Sequence, residues 1–131
     1  MKRLMIAVIA LASAPVLAGA TRAAQAARRP HGVAQFDGAW SVAVVTEQGS
    51  CDRAYRYGVV VRGGQINYAG GGDFVISGRV QPSGAVRGSI VRGLDRANVV
   101  GRLRGDYGAG AWASSGTWRC GGYWNAERRG R

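Results

Sequence analysis

From Phe36 to Arg129 apolar and polar residues alternate in short runs broken by glycine-rich turns, whereas the first twenty residues hold one nearly continuous apolar stretch. Alternation with a period of two places successive side chains on opposite faces of a strand. Turn signals recur roughly every ten residues, the rhythm of an all-β sandwich or barrel. The pattern predicts strands over Phe36–Thr46 (Trp40, Val42 and Val44 on one face), Ala54–Arg62 (Tyr55, Tyr57, Val59, Val61) and Gln65–Ala69 (Ile66, Tyr68). Further strands are expected over Asp73–Gln81 (Phe74, Ile76, Gly78, Val80), Ala85–Arg92 (Val86, Gly88, Ile90) and Arg96–Arg104 (Ala97, Val99, Gly101, Leu103). Ala109–Ser114 carries Trp112, and Thr117–Arg129 carries Trp118, Trp124 and Ala126, with a bulge expected at Gly121-Gly122.

Most of these runs are joined by hairpin signals such as Gly63-Gly64. About eight antiparallel strands in a meander close most simply into a small up-and-down barrel, which leaves no exposed edge. That barrel, over residues 35–131, is the expected fold; a β-sandwich is the alternative. A barrel of this size is filled by side chains or holds one small ligand. Glycine weakens a strand, so inward glycines at 78, 88, 101 and 110 imply close approach by something large. The four tryptophans are the expected occupants, ahead of a ligand.

The opening segment changes the picture of where this barrel works. Lys2 and Arg3 precede an apolar run over Leu4–Leu17, and Ala18-Gly19-Ala20 offers the small residues of a signal-peptidase site. The run is too short for a membrane anchor. Ala20 stands where a lipoprotein would need cysteine, so residues 1–20 read as a cleaved signal peptide; Ala24-Gln25-Ala26 is a second cleavage option. The expected location is periplasmic or secreted. Residues 21–34 are rich in Ala and Arg without hydrophobic periodicity and read as a flexible basic arm.

After export about 110 residues remain, one domain with a modest core that gains from a staple. Cys51 and Cys120 are the only cysteines. In an oxidising compartment an isolated pair forms a disulfide. Lys2 is the only lysine, so the exported chain carries arginine alone against seven acidic residues. Such a chain is drawn to anionic lipid, lipopolysaccharide or another polyanion. Arg79, Arg87, Arg96, Arg102 and Arg104 fall on outward parity of adjacent predicted strands and are the candidate anion-binding residues. Solvated charge that keeps a β-protein soluble is the simpler account of them.

Two resemblances add to this. Phe36-Asp37-Gly38-Ala39-Trp40 opens the first strand with Gly-x-Trp, and Glu127-Arg128-Arg129 ends the last. The arrangement resembles that of the calycins, the lipocalins and avidins, where such a tryptophan packs near an arginine of the final strand. The resemblance implies barrel closure through Trp40 with Arg128 or Arg129. The run of Cys51-Asp52-Arg53-Ala54-Tyr55-Arg56-Tyr57, Ser77-Gly78-Arg79-Val80, Gly108-Ala109-Gly110-Ala111-Trp112 and the terminal Glu-Arg-Arg is similar to small Gly- and Arg-rich secreted bacterial proteins whose function is not established.

Candidate chemistry is sparse. The only histidine, His31, sits in the arm, so a Ser-His-Asp arrangement has no base within the barrel. A metal site lacks ligands at suitable spacing, and haem ligation would fall to His31 or a tyrosine. Asp73, Asp95 and Asp106 lie at turns, where aspartate bonds its own backbone. Arg104-Gly105-Asp106 spells an adhesion tripeptide at a hairpin tip, read here as turn sequence. The sequence therefore predicts no enzyme and no cofactor. It predicts an exported binding module that engages an anionic surface or a small ligand. The alternative is an inhibitor-like domain that binds another secreted protein through its hairpin loops.

Overall fold

The computed structural model describes residues 32–115 and 119–131. The expected signal peptide over residues 1–20, residues 21–31 of the expected arm, and Trp118 lie outside the described residues. A single 3₁₀ turn over Gly32–Phe36 leads into eight strands: β1 (Gly38–Gln48), β2 (Ala54–Arg62), β3 (Gln65–Tyr68), β4 (Phe74–Val80), β5 (Ala85–Arg92), β6 (Asp95–Arg104), β7 (Tyr107–Ser115) and β8 (Gly121–Gly130). Each pairs antiparallel with its neighbour in sequence, and β8 pairs with β1 to close the barrel. Closure sets aside the sandwich alternative.

The alternation sorts the side chains as its period requires. Trp40, Val44, Val59, Val61, Val86 and Leu103 are buried in one core with Trp112, Trp124 and Ala126. Taken over whole residues, none of the described polar or charged residues is buried, although the Arg128 side chain nearly is. The indole N–H of each described tryptophan donates to a backbone carbonyl: Trp40 to Phe36 at 2.9 Å, Trp112 to Val45 and Trp124 to Val100, both at 3.0 Å. Three large rings therefore enter the core without an unpaired donor.

Most strand boundaries shift by one to a few residues from expectation, and three differences matter for the fold. Phe36 belongs to the 3₁₀ turn, where it is buried, and the chain is already ordered at Gly32, within the segment read as arm. Strand β7 starts at Tyr107, because Tyr107 pairs with Arg104 and extends the hairpin to its tip. The expected bulge at Gly121-Gly122 falls on the other strand: Thr46 faces Gly122 and Gln48 faces Gly121, leaving Glu47 as the extra residue of β1. A second irregularity skips Arg129 of β8 between the Ala39–Gly130 and Trp40–Arg128 pairs. Bulges bend and twist a strand where it must curve.

The barrel has two unlike ends. At one, the 3₁₀ turn lies near the hairpins at Gly63-Gly64 and Pro82-Ser83-Gly84. Val33 approaches Gly64, and Phe36 approaches Gly84. Gly63 and Gly64 both have positive φ, 56° and 81°, as a tight two-residue hairpin demands, and the Gly63 N–H donates to Asp37 Oδ1 at 2.9 Å. This is the closed end. The opposite, open end is bordered by the β1–β2, β3–β4, β5–β6 and β7–β8 connections. Cys51 of the first and Cys120 of the last are joined by a disulfide with Cα atoms 6.0 Å apart.

Candidate functional site

The inward glycines do two different jobs. At Gly101 and Gly110, which face each other across β6 and β7, an added Cβ would collide with the Trp124 indole; for Gly110 its distance to Nε1 would be 2.6 Å. Trp124 occupies the space those glycines leave. Gly78 and Gly88 also face each other, across β4 and β5, but the nearest atoms to their missing Cβ positions are backbone atoms of the facing strand. Among the described residues no tryptophan is one of the nearest neighbours of those positions. Beside it the interior keeps an apolar cavity of about 80 Å³, lined among others by Val42, Val59, Ile76, Gly88, Ile90 and Val99.

A neighbouring space lies on its open-end side. This second space, of about 170 Å³, shares Val44, Tyr57, Ile90 and Trp112 with the first and adds Tyr55, Phe74, Arg92, Asp95 and Ala97. Four rings gather here. Tyr57 stacks on Tyr55 with centroids 6.0 Å apart and meets Tyr68 and Phe74 edge-on at 6.1 and 5.7 Å. The Arg92 guanidinium lies 5.1 Å from the centre of the Phe74 ring. Arg92 pairs with Phe74 on one side and Asp95 on the other, so all three side chains share the mouth-facing side of the sheet. Burial raises the Tyr57 phenol above its ordinary pKa; Tyr55 and Tyr68 add to the rise and Arg92 opposes it. Tyr57 is thus a neutral hydroxyl near physiological pH, able to donate as well as accept.

Chemically the arrangement is an apolar slot whose entrance carries Arg92 and Arg96, the Asp95 carboxylate, and the Tyr55 and Tyr57 phenols. The alternation already marked Tyr55, Tyr57, Tyr68 and Phe74 as inward, but their meeting at one end follows from the strand directions. Arg92 was missed as a site residue. Its parity with Ile90 in the same strand was the available signal.

Barrel closure uses one of the two candidate arginines. The Arg128 guanidinium sits 4.9 Å from the Trp40 ring centre and its side chain is 5% exposed. Arg129, skipped by the register shift, turns outward and pairs with Glu127 at 3.4 Å.

Four of the five candidate anion-binding arginines lie toward the closed end of the β4–β6 wall, and Arg96 stands apart. Arg79 and Arg87 are directly opposite each other on β4 and β5. Arg102 lies one strand further, diagonal to Arg87, and its Nη1 donates to Ser83 O at 3.4 Å. Arg104 is at the β6–β7 hairpin. Arg96 is at the open end, opposite Val91, four residues along β6 from the partner of Arg87 and so about 13 Å away along the strand.

Among the described residues no group of three or more His, Cys, Asp or Glu side chains is placed to hold a metal ion. No helix among them is long and apolar enough to cross a membrane. No protein-family model, curated protein or solved structure matches this chain.

Proposed function

We propose that this chain is an exported, non-enzymatic binding barrel of calycin-like type that admits a small, largely apolar molecule bearing one acidic group. The observation that carries the proposal is that the apolar cavity beside Gly88 shares four lining residues with the mouth that holds Arg92 and Tyr57. An apolar tail would gain about 0.8 kcal/mol for each methylene buried. Its acidic group would rest at Arg92, with the Tyr57 hydroxyl as a second contact. The combined space suits a short chain or a single ring rather than a long lipid. The Cys51–Cys120 bond supports the export half of the proposal, because disulfides persist in oxidising compartments.

The test is thermal unfolding and tryptophan fluorescence with a series of short carboxylates, hexanoate among them, against the matching alcohols. Hexanoate should raise the melting temperature more than hexanol. Ala97→Leu, which fills the mouth, should abolish both shifts while the protein still unfolds cooperatively. Arg92→Gln should remove the preference for the acid. If neither straight-chain nor aromatic acids shift melting or fluorescence, the proposal fails.

A further inference from the structure

Charge is distributed unevenly along the barrel axis. Around the open end, five arginines are nearly balanced by Glu47, Asp52, Asp73 and Asp95. Around the closed end, eight arginines among the described residues meet only Asp37, Asp106 and Glu127. Asp106 and Glu127 are engaged by Arg128 and Arg129, and Asp37 accepts the Gly63 N–H. Arg62, Arg79, Arg87, Arg102, Arg104 and Arg131 have no ion-pair partner among the described residues.

Five of those six lie on the wall from β2 to β6. Register places Arg62 opposite Gln65, Gln65 opposite Arg79, and Arg79 opposite Arg87, a row that crosses four strands. At strand spacing it spans about 14 Å. Directly opposed like charges sit about 5 Å apart at Cβ and destabilise a sheet. Here no carboxylate relieves them. Arg79 and Arg87 border a surface groove of about 720 Å³ that also includes Val33, Pro82 and Val100. Next to the charged row, toward the open end, runs a second row of neutral hydrogen-bonding side chains. Asn67 faces Ser77, Ser77 faces Ser89 and Ser89 faces Asn98.

We propose that this wall is a second binding site, independent of the barrel interior, and that its ligand is an acidic glycan. The arginine row supplies cations for sulfate, phosphate or carboxylate groups. The Asn/Ser row supplies donors and acceptors for sugar hydroxyls at the adjacent register. The groove has no aromatic lining residue, so it lacks the stacking platform that single-stranded nucleic acid needs.

The experiment measures binding of the full exported protein to heparin and to alginate, with uncharged dextran and single-stranded DNA as comparisons, over a range of salt. Arg79→Gln with Arg87→Gln should weaken heparin binding at least tenfold and flatten its salt dependence. Arg96→Gln with Arg119→Gln, equal in charge change but at the open end, should alter it less than twofold. Ser89→Ala with Asn98→Ala should weaken glycan binding severalfold and leave the salt slope unchanged. Binding of heparin but not alginate would assign sulfate- or phosphate-bearing glycans; binding of both would extend the site to uronates. Equal losses in the two arginine pairs, or tighter binding of DNA than of either glycan, would overturn the proposal. Hexanoate shifts measured on the same variants keep this outcome separate from that of the barrel interior.

Discussion

The Arg128 guanidinium lies over the Trp40 indole, 4.9 Å from its centre, at the point where the first and last strands meet. Arg128 is held there by four hydrogen bonds: Nε to Asp106 Oδ1 at 2.8 Å, Nη1 to Asp37 O at 2.7 Å, and Nη2 to Gln35 O and Gly105 O at 2.9 and 3.0 Å. One planar fork thus ties the entry to β1, the β6–β7 hairpin and the end of β8. Lysine carries the charge but cannot reproduce the fork. Arg128→Lys should destabilise by about 1–3 kcal/mol in urea unfolding, through unpaired acceptors and a weakened cation–π contact. Trp40→Ala should cost more, about 3–5 kcal/mol, since it also empties part of the core.

The disulfide joins the β1–β2 loop to the entry of β8 across a sequence separation of 69 residues. Cross-linking a loop of that length stabilises by about 4 kcal/mol in the chain-entropy model. Cys51→Ala with Cys120→Ala should lower stability by that order. The closed end is already held by Arg128, so hydrogen exchange should rise first in the loops of the open end.

The alternation made the strand faces legible because the code for a half-buried sheet is local: Trp40 and Val44, or Val59 and Val61, reveal their common side by spacing alone. The disulfide was legible because two cysteines allow one pairing. Relations between strands were less accessible. That Glu47 and Arg129 are the residues skipped in the β1–β8 ladder depends on how two distant segments align. The same is true of the cavity. Gly88 and Gly101 look alike in sequence, and only the placement of Trp124 fills one wall and leaves the other bare. The separation of Arg96 from the other outward arginines has a related cause. Parity fixes which side of the sheet Arg96 and Arg87 face, whereas register fixes how far apart they are.

Gly101 is required by the ring it accommodates. A methyl group there would meet Trp124 Cζ2 and the backbone of Ala109 and Gly110. Gly101→Ala should cost about 1–3 kcal/mol through overpacking. It should also push Trp124 off its bond to Val100 O, changing the near-ultraviolet circular dichroism more than the far-ultraviolet signal. An unchanged near-ultraviolet spectrum would mean that the strand pair can spread without moving the indole.

Tyr57 gives the open end a pH signature. Its phenol holds the proton more tightly folded than unfolded, chiefly because burial disfavours the phenolate, with Tyr55 and Tyr68 acting in the same sense. The corresponding stability is complete below the ordinary tyrosine pKa of about 10 and is lost as pH rises through the higher folded value. Wild-type stability should therefore fall more steeply above that pH than the stability of Tyr57→Phe, and the two curves should run parallel below it. Arg92 works in the opposite direction by favouring the phenolate. Arg92→Gln should consequently move the Tyr57 titration, followed by tyrosinate absorbance as the difference from a Tyr57→Phe background, to still higher pH. A shift to lower pH, or none, would show that Arg92 does not face the phenol across the mouth, and would remove that cation from the entrance of the proposed binding slot.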